Sequence, residues 1–90
     1  MPSYLVETFL ASAHAGERGR RERQAHSAAE ELSKRGTPVR FDSSIHVPED
    51  EICFFVFDAP SGPDAAATAQ HAGLQPFRVV EVASSGEENL

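Results

Sequence analysis

The sequence predicts an α+β sandwich, a four-stranded antiparallel sheet with two helices on one face, and three observations predict it. Short strand-favouring runs and alanine-rich helical stretches follow one another as strand, helix, strand, strand, helix, strand within 90 residues. A glycine closes each helical stretch, at Gly36 and at Gly73. One run, Ile52 to Phe57 (ICFFVF), is apolar on both faces, the pattern of a central strand covered on both sides. That order is the split β-α-β, ferredoxin-like arrangement. Its sheet has one face without helices, which must meet water, a ligand or a partner. Two such faces closing on each other form a dimeric α+β barrel.

Each element has a local reason. Tyr4 to Phe9 (YLVETF) is rich in strand-favouring residues. Leu10 to Gly16 (LASAHAG) reads as a loop of small residues. From Glu17 to Arg35 the chain reads as helix, because Ala25, Ala28, Ala29 and Leu32 fall at i, i+3, i+4 and i+7. Lys34 and Arg35 suit the negative end of its dipole, and Gly36 suits the left-handed position that ends it. Pro38 to Val47 alternates, with Val39, Phe41, Ile45 and Val47 on one side and Arg40, Asp42, Ser44 and His46 on the other. Pro48 to Glu51 is a polar turn before the aromatic strand, in which Phe54 faces opposite to Phe55 and Phe57. Ser61, Pro63 and Asp64 open the second helix, and Ala65, Ala69 and Ala72 are its inward residues. Phe77 to Ala83 (FRVVEVA) is the last strand. Residues 1–83 make one domain, and 84–90, polar and acidic, read as a disordered tail.

Composition removes several classes of function. A chain of this length hides only roughly 60–65% of the surface its unfolded form exposes, so association with a second copy would hide more. The formal net charge of −6 argues against broad binding to nucleic acid or an anionic membrane. Arg18, Arg20, Arg21 and Arg23 concentrate positive charge, but Glu17 and Glu22 accompany them, the pattern of a solvated helix start. Cys53 is the only cysteine, which excludes an intramolecular disulfide and a CxxC metal knuckle. The opening residues lack a basic segment and a long apolar run, so no secretory signal is expected. No stretch approaches the ~20 apolar residues of a membrane span. The expectation is a soluble, cytoplasmic protein.

The residues that could carry chemistry are few. If the Pro48–Glu51 turn pairs Val47 with Ile52, His46 stands across from Cys53, Ser44 across from Phe55 and Asp42 across from Phe57. Opposed residues have Cβ atoms ~4.5–5.5 Å apart. Imidazole and thiol at that spacing suit one soft or borderline metal, or a base–nucleophile pair, or simply a buried small apolar cysteine beside a rim histidine. Glu7 interrupts the first strand and Glu81 the last; these strands are neighbours in this fold, which puts both carboxylates on the open face. His46 and Glu81 lie on opposite edges, three strand spacings or roughly 14 Å apart, so one subunit cannot bring them together. Glu22, His26 and Glu30, at i, i+4 and i+8, line one helix flank and suit either a metal or ordinary local pairing. His71 falls in the last turn of the second helix, where the dipole favours its protonated form. His14 lies in the loop before the first helix.

The segments P-x-Y-L-V-E (Pro2 to Glu7), G-T-P-V-R-F (Gly36 to Phe41), V-P-E-D-E followed by x-C-F (Val47 to Phe54), D-A-P-S (Asp58 to Ser61) and A-G-L-x-P-F (Ala72 to Phe77) resemble a family of small ferredoxin-like proteins. It is an uncharacterised family whose best-known members are nickel-binding dimers. The resemblance implies a homodimer and makes nickel the candidate metal. It also implies that the family's histidine positions, late in the first strand and in the second helix, are here Thr8, Thr68 and Ala72. His26 and Cys53 stand where the family often has histidine and cysteine.

The expectation is a homodimer that binds a metal ion or small ligand in a cavity at the open sheet face. Glu7, Phe55, Phe57 and Glu81 would line the pocket, with His46, Cys53 and His26 as metal candidates. A different class is a small enzyme, cofactor-free or haem-dependent, acting on an apolar metabolite through Glu7, His46 and Cys53. A third is a non-catalytic interaction subunit.

Overall fold

The computed structural model describes residues 1–83. Their order is β1 (Ser3–Phe9), a 3₁₀ segment (Ser12–Glu17), α1 (Arg18–Lys34), β2 (Arg40–Val47), a short 3₁₀ turn (Pro48–Asp50), β3 (Ile52–Asp58), α2 (Gly62–His71) and β4 (Arg78–Val82). The strands form one antiparallel sheet in the order β2-β3-β1-β4. This is the α+β, ferredoxin-like arrangement the element order predicts. The disordered tail expected at 84–90 lies outside the described residues. Among the described residues no helix is long and apolar enough to cross a membrane.

Both helices end by the same device. After α1, the Thr37 amide donates to the Leu32 carbonyl and the Gly36 amide to the Ser33 carbonyl. After α2, the Leu74 amide donates to Ala69 and the Gly73 amide to Gln70. These paired bonds are Schellman closures, which need a left-handed residue. Gly36 (φ 104°) and Gly73 (φ 79°) supply it without the cost a Cβ would bring. Ser33 then fixes the entry to β2, its hydroxyl donating to the Val39 carbonyl at 2.8 Å and accepting from the Val39 amide at 3.1 Å. At the other end of α2, Ser61 caps the Asp64 amide at 3.3 Å.

The core lies between sheet and helices. Tyr4, Val6, Cys53, Phe55 and Phe57 from the sheet meet Ala25 and Ala29 of α1 and Ala65 and Ala69 of α2. Alanine on the helices leaves room for phenylalanine on the sheet, which is how a small core reaches high density. Phe41 closes the edge, its ring 5.5 Å from that of Phe57 and 6.2 Å from that of Phe55.

This arrangement corrects two expectations about which way side chains point. Phe55 and Phe57 are fully buried against the helices, not on the open face. Phe54, with Ile52 and Val56, takes the open side instead. In β2 the alternation breaks between Phe41 and Ser43: Phe41 opposes Phe57, Ser43 opposes Val56, and Asp42 is the extra residue of a bulge. One extra residue reverses the side on which all later residues fall. Phe41 therefore shares the helix side with Ser44 and His46, while Ile45 and Val47 face out. Asp42 does not stand across from Phe57.

Candidate functional site

Strand pairing assigns the open face residue by residue. Leu5, Glu7 and Phe9 belong to it from β1, Ile52, Phe54 and Val56 from β3, Ser43, Ile45 and Val47 from β2, and Arg78, Val80 and Val82 from β4. Phe9 (60%), Ile45 (49%) and Val82 (38%) are exposed on it. Apart from Glu7, Arg78 and Ser43 these residues are apolar, more than scattered surface hydrophobes require. It has a polar end, where Asp58 accepts from Ser3 Oγ at 2.5 Å and from the Arg40 guanidinium, with Arg40 Nε at 3.0 Å. The Ser3 hydrogen bond most of all holds the Asp58 carboxyl below its usual range; burial opposes this and Arg40 assists it.

Glu7 stands in the middle of this apolar face. Phe54 opposes it across β3 and Arg78 across β4. The residue is half-buried, and its carboxylate has no cation within 4 Å among the described residues. Glu7 is thus where the sequence placed it. Glu81 is not. It opposes Tyr4, so it belongs to the helix side, where the edge position of β4 leaves it exposed. The pocket residues named from sequence divide accordingly. Glu7 is on the open face, Phe55 and Phe57 are core, and Glu81 is on the far side of the edge strand.

The hairpin register holds: His46 opposes Cys53, and Ser44 opposes Phe55. Both His46 and Cys53 point to the helix side. The His46 Nε2 is 3.3 Å from the Leu10 carbonyl, and Cys53 is fully buried. Burial pushes the Cys53 thiol up, against the milder pull of Arg18 and Arg21. A protonated, enclosed thiol is a poor nucleophile and a poor ligand. His26 is exposed on α1, with its Nδ1 3.5 Å from Glu30. Glu22 leaves that flank to accept from Ser44 Oγ. Among the described residues no three His, Cys, Asp or Glu side chains lie close enough to hold a metal ion. His46, Cys53 and His26 therefore do not form a centre within one chain. His71 and His14 are exposed, and His14 lies 3.6 Å from Glu17.

Thr8 and Thr68, at positions where the resemblance implies histidines, are fully buried and satisfied. Thr8 donates to the Cys53 carbonyl and Thr68 to the Asp64 carbonyl, each at 2.8 Å. The sequence reading missed Arg18, which donates to the Ser44 hydroxyl and carbonyl, both at 2.9 Å, and fastens α1 to the edge strand. The only sequence signal for it was an arginine at the helix start, one among four.

A scan of protein-family models and a search of curated proteins find no match. Among solved structures, SCO4226 from Streptomyces coelicolor A3(2) is similar with a TM-score of 0.67 and 18% identity, over 92% of this chain and 98% of that one. At that identity the likeness shows the fold alone.

Proposed function

We propose that this chain is a small cytoplasmic homodimer that closes its open sheet faces together and holds a small, largely apolar ligand around Glu7. The observation that carries this reading is a half-buried carboxylate, without an ion-pair partner among the described residues, set among Leu5, Phe9, Phe54 and Val80 on the sheet face. Covering the face removes the apolar surface from water, worth roughly 25 cal/mol per Å². Covering Glu7 without a partner costs free energy, so the closed space needs a group that binds it. Arg78 stands opposite Glu7 on β4 without pairing with it, so a ligand with a donor group supplies the contact. The resemblance to a family of dimers supports the same assembly.

For nickel, the metal that resemblance implies, the described residues of one chain bring no three donors together. His46 and Cys53 point into the helix layer, away from Glu7, and His26 lies on α1. The same geometry gives no support to an enzyme that joins Glu7 to His46 and Cys53, because the sheet lies between them. Native mass spectrometry of untagged protein tests the proposal. The expected result is a dimer with a retained organic mass. A monomer at high micromolar concentration, or a dimer carrying stoichiometric metal, would overturn it.

A further inference from the structure

We infer that the cleft between the two helices, on the opposite side of the molecule from the open sheet face, binds a phosphorylated small anion. The cleft holds about 490 Å³, within the range of small-molecule sites. Its walls carry Arg20 and Arg23 from α1 and His71 from α2, and Ala28 and Ala72 are short enough to leave the space between the helices. A second hollow of about 280 Å³ shares Arg20 and Gln24 and adds Gln75. The chain as a whole is acidic, at −6, yet four of its eight Lys and Arg residues fall between positions 18 and 23.

Structural duties account for only some of these arginines. Arg18 is spent on Ser44, Arg21 donates to the Phe9 carbonyl at 3.0 Å, and Arg20 meets Glu17 at 3.0 Å. Glu31, the one carboxylate lining the cleft among the described residues, is matched by Arg35 at 3.0 Å. Arg23 has no carboxylate within 4 Å among the described residues, and neither has His71. The local balance in the cleft is therefore positive. Arg20 and Arg23 are three apart on α1, so they rise as neighbours on one helix face. Guanidinium groups offer planar pairs of N–H donors that match phosphate oxygens, and Gln24 and Ser27 add neutral donors beside them. Two clustered guanidinium groups favour a compact, multiply charged anion over a monocarboxylate.

The test is titration of the full chain with inorganic pyrophosphate, and separately with citrate, at low ionic strength, followed by amide chemical shifts. Shifts should centre on Ser27, Ala28, Ala72 and Gly73. Arg23→Gln should weaken pyrophosphate binding by about fivefold or more, the loss of one charge-assisted contact. Lys34→Gln makes the same charge change at the other end of α1, outside the cleft, and should alter affinity by less than about twofold. Glu31→Gln should leave binding unchanged or tighten it. Absence of cleft shifts at millimolar pyrophosphate, equal losses in Arg23→Gln and Lys34→Gln, or citrate binding as tight as pyrophosphate would overturn the inference.

Discussion

Arg40 reaches across the β2–β3 ladder to Asp58, whose other carboxylate oxygen is held by Ser3 of β1, so one carboxylate ties three strands together. Asp58 is buried, and its folded pKa lies below the ordinary value, chiefly through the Ser3 hydrogen bond. A depressed folded pKa contributes stability that is complete above the unfolded pKa of about 3.9 and is lost as pH falls through the folded value. Asp58→Asn should therefore flatten the acid limb of stability below about pH 4 and cost about 1–3 kcal/mol at neutral pH. Urea melts across pH 2.5–7 check both. An unchanged acid limb would remove Asp58 as its source.

The open face and the core give opposite expectations for similar substitutions. Ile45→Glu places charge on the exposed sheet face and should yield a folded monomer. Phe55→Ala empties a fully buried site beneath both helices and should cost about 3–5 kcal/mol. Sedimentation equilibrium reads the first and chemical denaturation the second. If Ile45→Glu remains dimeric, the sheet face is not the interface.

The element order, the two glycine closures and the His46–Cys53 register were all legible in the sequence, because each rests on local chemistry that little else satisfies. The direction of the aromatic strand was not. Ile52, Phe54 and Val56 are as apolar as Cys53, Phe55 and Phe57, so alternation has no polar marker to fix its phase. The marker lay one residue on, at Asp58, which shares parity with Phe54 and needs Arg40 and Ser3 on the open side. The bulge at Asp42 was hidden for a related reason. In the run Asp42-Ser43-Ser44 three polar residues follow one another, and period two cannot say which is extra. Glu7 was readable, since a carboxylate amid Leu5 and Phe9 cannot face a packed core. Glu81 is not readable in this way, because Phe77, Val79 and Glu81 alternate with Arg78, Val80 and Val82, each set mixing apolar and charged residues, so only the pairing of Glu81 with Tyr4 fixes its side.

Cys53 should be silent in the folded protein. It is fully enclosed and its thiol is pushed up by burial, so little thiolate forms at neutral pH. Modification by a disulfide reagent should be slower than in the unfolded chain by the small fraction of time the hairpin is open. In denaturant the same thiol should react at once. A native rate close to the denatured rate would show that the β2–β3 edge opens far more readily than its packing implies.

Glu7 separates a burdened interface from a binding site. If the faces close with nothing between them, two Glu7 carboxylates enter low dielectric, and Glu7→Gln should tighten the dimer by relieving that cost. If Glu7 holds a ligand, Glu7→Gln should leave the fold intact and abolish the retained mass. The fold itself should change by no more than about 0.5 kcal/mol, because the carboxylate makes no ion pair within the described chain. Native mass spectrometry and denaturation of the same variant distinguish these outcomes. The proposal expects loss of the retained mass with a dimer still present. A Glu7→Gln dimer that keeps the wild-type mass would place the ligand elsewhere and leave Glu7 as a charge that the interface merely tolerates.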